Sequence, residues 1–148
     1  MKTNQKLISG FSRLLADTYF LYLKTQNFHW NVVGIEFVNL HHLFEQQYTG
    51  LADAVDTIAE RIRALGGMAP GSFAEFSKLT KLKESTKKLT AAEMIKQLIH
   101  DHEILIETAK AVGNASEDAN DLSSADLATV RIAEHEKTLW MLQSLLAK

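Results

Sequence analysis

The chain has no cysteine and only one proline among its 148 residues. Without thiols there can be no disulfide, no thiolate metal ligand and no cysteine nucleophile, and the redox compartment stays open. A single proline, Pro70, leaves long stretches free of the residue that most effectively breaks helices. Neither sign of charge dominates: 16 Lys and Arg oppose 18 Asp and Glu, for a formal charge of −2 and a pI near 6.3. That balance gives no global electrostatic reason to bind nucleic acid or an anionic membrane. Long apolar runs are also missing. The opening MKTNQKLISGF lacks an uninterrupted apolar core, and Arg13 and Asp17 interrupt the segment after it. Neither a signal peptide nor a membrane span is expected, and the cytoplasm is the expected location.

What is present is apolar periodicity. At this length residues 1–148 read as one domain, large enough for a core without disulfides. Leu7, Phe11, Leu14, Thr18, Leu21 and Thr25 recur at helical spacing in a first amphipathic helix over about 4–28. Phe11, Tyr19, Phe20 and Tyr22 read as packing aromatics. A second helix runs over about 36–65 through Leu40, Phe44, Leu51, Val55, Ile58 and Ile62. Gly66 is its expected C′ residue.

The next stretch holds Pro70 and Gly66, Gly67 and Gly71, yet keeps apolar anchors at Phe73, Phe76, Leu79 and Leu82. It reads as a long crossover bearing a short helix capped by Ser72, not as a domain linker. Its lysines at 78, 81, 83, 87 and 88 read as a solvated loop. Thr90 with Glu93 forms a capping box for a third long helix, expected to stop at Gly113 and Asn114. In HDHE at 100–103 adjacent residues point about 100° apart and do not converge on one ion; surface or buried, hydrogen-bonded roles are expected for His100 and His102. An acidic loop over 117–126 leads to the last helix, with Ser123 or Ser124 as cap and Asp126 in the first turn. His135 and Trp140 are expected to pack. Four long helices with one long crossover make an all-α, ferritin-like four-helix bundle. No histidine follows a glutamate by three residues, so the usual Glu-x-x-His di-iron centre within one subunit is not expected.

The chemistry concentrates in the second helix. At roughly 100° per residue, His41, Glu45, Asp56 and Glu60 fall at about 0°, 40°, 60° and 100°, on one face. His41 and Glu60 nevertheless lie about 28 Å apart along the axis, whereas ligands sit about 2 Å from a metal. A second copy of the helix, antiparallel across a two-fold axis, would bring 41 to 60 and 45 to 56, since both pairs have the same sum. The axis then falls between Gly50 and Leu51, and a glycine at a helix crossing permits close backbone approach. His29, just before the break at Asn31 to Gly34, is expected level with His41. The expected site is His29, His41 and Glu45 from one subunit with Asp56 and Glu60 from the other. These nitrogen and oxygen donors suit iron, manganese or zinc.

HWNVVGIEF, NLHHLFE and DTIAERIRALGG, with weaker echoes in DLSSADL and EKTLWML, resemble the Dps proteins, or miniferritins, over essentially the whole chain. The resemblance assigns the same five residues to a ferroxidase site shared across the dyad, with Glu45 where aspartate is common. It implies a hollow dodecamer of two-fold dimers that oxidises Fe(II), preferentially with hydrogen peroxide, and stores ferric mineral against oxidative stress. It also implies that Trp30 lies beside the site, filling the interface or, less expectedly, intercepting oxidising equivalents, and that Asp121 and Asp126 line a three-fold pore where some relatives carry a further acid in place of Leu122. The family's name refers to DNA binding, which in its best-known members uses a lysine-rich terminal tail. With only Lys2 and Lys6 near the start and one lysine at the end, DNA binding is not expected.

Overall fold

The computed structural model describes residues 2–148, with side chains described from residue 4 onward. Five helices succeed one another along the chain: α1 Lys2–Asn31, α2 Phe37–Ala64, α3 Phe73–Leu79, α4 Ala91–Asp118 and α5 Leu122–Leu146. Among the described residues there is no strand, and no helix is long and apolar enough to cross a membrane. α1 pairs with α2 and α4 with α5, while α1 against α4 joins the two hairpins; α2 and α5 touch least. This is the four-helix bundle with a crossover helix that the periodicity predicts.

α1 is the strut. Leu7, Phe11, Leu14, Leu21 and Phe28 are buried at three-, four- and seven-residue steps, interleaved with buried Thr18 and Thr25. Those two threonines need no outside partner, because each hydroxyl donates to the carbonyl one turn back, at 2.6 Å to Leu14 and 2.7 Å to Leu21. Phe44, Ile58 and Ile62 of α2, Leu98 and Leu105 of α4, and Leu142 of α5 complete a contiguous core.

The crossover runs along α1 from one end to the other. The Leu65 carbonyl accepts from Asn4, Lys81 meets Asp17, the Lys83 carbonyl accepts from Lys24, and the Ser85 carbonyl accepts from Asn27. Asp17 is wholly buried and accepts from the Thr80 hydroxyl at 2.7 Å, the Lys81 amide at 2.8 Å and the Thr108 hydroxyl at 2.9 Å. Two turns on, Lys24 forms a buried ion pair with Asp101 at 2.8 Å. The short helix is capped by Ser72, and Tyr19 stacks on its Phe76 with centroids 5.0 Å apart. Of the crossover lysines, 78, 81, 83, 87 and 88 are exposed, as a solvated loop requires.

Helix ends show where local reading succeeds and fails. Gly66, at φ +91, is the C′ residue of α2, with its amide on the Arg63 carbonyl and that of Gly67 on Ile62. The Thr90–Glu93 capping box is present. α4, however, runs past Gly113 and Asn114 to Asp118. Gly113 packs against α5, where a Cβ would lie 3.6 Å from that of Ala128, so helix pairing overrides its weak propensity. The stop is Asn120, at φ 55, whose amide reaches the Glu117 carbonyl while that of Asp121 reaches Ser116. The acidic loop shrinks accordingly. Asp121, not Ser123 or Ser124, caps α5, and Asp126 lies beyond the first turn. Trp140 does not pack within the chain but is 65% exposed, because α5 carries apolar residues on more sides than one chain can cover.

His100 is exposed, whereas His102 is buried and bonded through Nδ1 to Nδ1 of buried His135 at 3.0 Å. Burial, reinforced by the nearby Arg131 charge, lowers the His102 pKa to about 3. Burial, then His102 and Arg131, hold His135 well below the ordinary range. An imidazole with a folded pKa below its free value binds fewer protons in the native than in the unfolded chain. Its stability contribution is therefore full above pH 6.5 and is lost as pH falls from 6.5 toward about 3. Unfolding measured from pH 7.5 to 4.5 at fixed protein concentration should show a slope of up to about 1.4 kcal/mol per pH unit for each imidazole. His102→Met combined with His135→Met should flatten it.

Candidate metal centre

α1 and α2 are joined by a tight reversal over 32–36, made possible by Gly34 at φ +118, a backbone conformation open to glycine and strained for other residues. The reversal sets the last turn of α1 beside the first turns of α2. His29 and His41 meet there with rings stacked at 3.8 Å and 12°. Each Nδ1 donates to the other's backbone carbonyl: His29 to His41 at 2.6 Å and His41 to His29 at 2.7 Å. A carbonyl oxygen can only accept, so both Nδ1 atoms carry a proton, and in the neutral ring that tautomer leaves the lone pair on Nε2. This is the arrangement that orients a histidine ligand for a metal. The His29 carbonyl also gains a donor in a helix turn that otherwise lacks them.

Two residues that sequence reasoning misses frame this pair. Phe37 stacks on His41 at 5.0 Å, and Tyr48 presents its edge to His29 at 5.2 Å. Their signal is the helical spacing itself, since Phe37 and Tyr48 lie four before and seven after His41. Around the same reversal the chain exposes Trp30 at 59%, Val33 at 64%, Ile35 at 100% and Val38 at 61%. An apolar collar of this kind marks a surface for association.

The remaining candidates are not gathered to the imidazoles. Glu45 is exposed, its carboxylate 4.0 Å from Nδ1 of the equally exposed His42. Asp56 and Glu60 are exposed farther along α2. Among the described residues no three His, Cys, Asp or Glu side chains are grouped to hold a metal within one chain. Gly50 is itself exposed, on a different side of α2 from the carboxylates. It lines a cavity between α2 and α5, and an added Cβ would meet nothing within 4 Å. Nine residues from His41, it sits about half a turn around the helix from that imidazole.

Of the two candidate pore aspartates, Asp126 is exposed and Asp121 is engaged. Arg61 grips both Asp121 oxygens, at 2.9 and 2.8 Å, and donates through Nε to Ser124 at 2.9 Å. Slight desolvation raises the Asp121 pKa, but hydrogen bonds from the Ser124 amide and hydroxyl and from Arg61 outweigh it and hold the carboxyl below its usual value. That carboxylate is committed to capping α5 and tying it to α2.

A model of the ferritin-like domain matches residues 8–148. The DNA protection during starvation protein of Brevibacillus brevis is 36% identical over 148 residues, covering 99% of each chain. The crystal structure of a Dps protein from Bacillus brevis superposes with TM-score 0.96 at 33% identity, over 99% of both chains. A Dps structure from Vibrio cholerae, described as a member of a broad superfamily of ferritin-like diiron-carboxylate proteins, gives 0.95 at 32% identity, over 99% of this chain and 92% of that one.

Because Arg61 is the main polar link between α2 and the start of α5, Arg61→Met should loosen that turn and leave the imidazole pair in place. Amide exchange over residues 122–126 is expected to speed up by about tenfold, with exchange at Val32 and Leu40 unchanged.

Proposed function

This chain belongs to the Dps family of ferritin-like proteins, and we propose that it is a ferroxidase and iron-storage protein whose active sites are shared between two-fold related subunits. Iron storage and protection of DNA are the general work of this ferritin-like, diiron-carboxylate group. The observation that carries the finer reading is the reciprocal His29–His41 pair. It presents two Nε2 lone pairs at an apolar collar, in a chain that leaves its matching carboxylates exposed on the same helix.

In this reading an antiparallel neighbour brings Asp56 and Glu60 to His29, His41 and Glu45. Two neutral imidazoles and three carboxylates bind Fe(II) through hard and borderline donors, and the carboxylate charge favours the ferric product. Fe(II) is the substrate. Two Fe(II) each lose one electron, and hydrogen peroxide takes up both electrons and two protons to leave two waters. Drawing the electrons as a pair releases no hydroxyl radical, which is why peroxide is the proposed oxidant. Trp30 and its apolar neighbours pack the dimer contact. Twelve subunits then close a cytoplasmic shell that holds ferric mineral. With a net charge of −2, this protein protects chemically and not by coating DNA, and salt-sensitive retention on DNA is not expected.

The purified oligomer, loaded anaerobically with Fe(II) and given hydrogen peroxide, should form ferric species rapidly while consuming one peroxide per two irons. Dioxygen should act more slowly. Asp56→Ala and His41→Ala should each lower the rate by about 100-fold with assembly retained. Co-assembled from equal amounts of these two inactive variants, the oligomer should regain about a quarter of its sites, because each mixed dimer rebuilds one whole site from two intact halves. No recovery in the mixture would exclude sharing, and wild-type oxidation no faster than free iron in buffer would exclude the enzyme.

A further inference from the structure

All three tyrosines of the chain stand in one file behind the imidazole pair. α1 and α2 are antiparallel, so residues whose numbers share a sum sit at the same height: His29 meets His41, and two turns deeper Tyr22 meets Tyr48. The rings keep that order. The edge of Tyr48 faces His29 with centroids 5.2 Å apart, Tyr22 lies 5.9 Å from Tyr48, and Tyr19 lies 5.8 Å from Tyr22. All are within the range of direct aromatic contact. Beyond Tyr19 the neighbours are Phe76 at 5.0 Å and Phe73 at 6.3 Å. A phenylalanine has no hydroxyl to lose and is far harder to oxidise than a phenol, so the file of oxidisable rings ends at Tyr19. That residue is ten positions from His29, about 15 Å along the helix axis, and lines a cavity of about 230 Å³ against α3.

Packing alone is met in the same helix by plain rings, Phe11 and Phe28, which are fully buried. The tyrosines are half-buried instead. Among the described residues none of their hydroxyls is sealed away without a partner, so each phenol proton has a route out. Trp30, the other oxidisable ring near the reversal, stands apart from this file: it is 59% exposed and stacks on none of the three tyrosines.

We propose that Tyr48, Tyr22 and Tyr19 form a path that carries single oxidising equivalents out of the iron site. The inference rests on the ferroxidase reading and concerns the case that paired oxidation does not cover, a site holding a single Fe(II). Peroxide then finds one electron at the metal and needs a second if no hydroxyl radical is to be released. Tyr48 supplies it through the ring of His29. Fe(II), hydrogen peroxide and the phenol give Fe(III), a phenoxyl radical, one water and one hydroxide: the O–O bond breaks, iron and phenol lose one electron each, and the phenol proton ends in the water. At each later hop the next ring gives up an electron and a proton, and the phenoxyl before it takes up one of each. The oxidising equivalent comes to rest at Tyr19, away from the iron.

The test is rapid-freeze electron paramagnetic resonance of the assembled protein carrying ring-deuterated tyrosine, loaded anaerobically with less than one Fe(II) per site and mixed with hydrogen peroxide. A radical signal narrowed by the label is expected, which a radical on Trp30 would not show. Tyr48→Phe keeps a ring against His29 and should lose the tyrosine signal, releasing spin-trappable hydroxyl radical in its place. Tyr19→Phe should change the shape of the signal in the otherwise native chain and leave it unchanged in Tyr22→Phe, where the path is already cut. Rapid ferric formation without a label-narrowed signal, a signal that survives Tyr48→Phe, or an equal effect of Tyr19→Phe in both backgrounds would overturn the path and leave the ferroxidase reading standing. Iron oxidation no faster than in buffer would remove both.

Discussion

A carboxylate with no access to water decides how this bundle closes. Asp17 accepts hydrogen bonds from the crossover at Thr80 and Lys81 and from α4 at Thr108, so one buried charge fixes three segments far apart in sequence. Such a group is tolerated only when its acceptor sites are filled. The crossover is therefore held on α1, and Lys24 and Asn27 extend the hold toward the far end. Because the crossover lies along α1, it does not cover the face of α2 that carries Glu45, Asp56 and Glu60, and these stay exposed. The chemistry of the outer face depends on the fastening of the inner one.

Histidine is used in two opposite ways in this fold. At the α1–α2 reversal, backbone carbonyls take up the Nδ1 protons of His29 and His41 and turn lone pairs outward. Between α4 and α5, a guanidinium takes up a lone pair of His135, and the relay ends in a proton on His102. The side chains are the same; the hydrogen-bond partner sets whether the pair ends in lone pairs or in a proton. Distance along the chain does not separate the two cases, but the nature of the second partner does.

Much of this is legible in the sequence wherever the responsible physics is local. The Thr90–Glu93 box, the Ser72 cap and the Gly66 stop each depend on a few adjacent residues. The meeting of His29 with His41 comes from periodicity and a short turn. The end of α4 is misplaced by local reading because Asn120, not the more obvious Gly113, takes the left-handed conformation, and that choice depends on Gly113 packing against Ala128 of α5. Nothing in the acidic loop announces the engagement of Asp121, because its partner, Arg61, lies 60 residues away. The His102–His135 bond and the Arg131 contact likewise join different helices or complete such a link, and no single-helix pattern announces them. Gly50 stands out in the sequence for its height along α2, yet lies about half a turn from His41, since a sequence number fixes a height along a helix more easily than a side.

The apolar collar and the ligand imidazoles gather at one reversal of the chain. On the proposed pairing, burying the collar and completing the iron site are a single event. A newly made subunit then carries only two imidazoles and a loose carboxylate, too few to hold a reactive pair of irons. Its exposed Ile35 and Trp30 drive it toward a partner before it can do redox chemistry. On that pairing assembly acts as a safety catch: oxidation begins only once two subunits have met, and an orphan chain is sticky but chemically quiet.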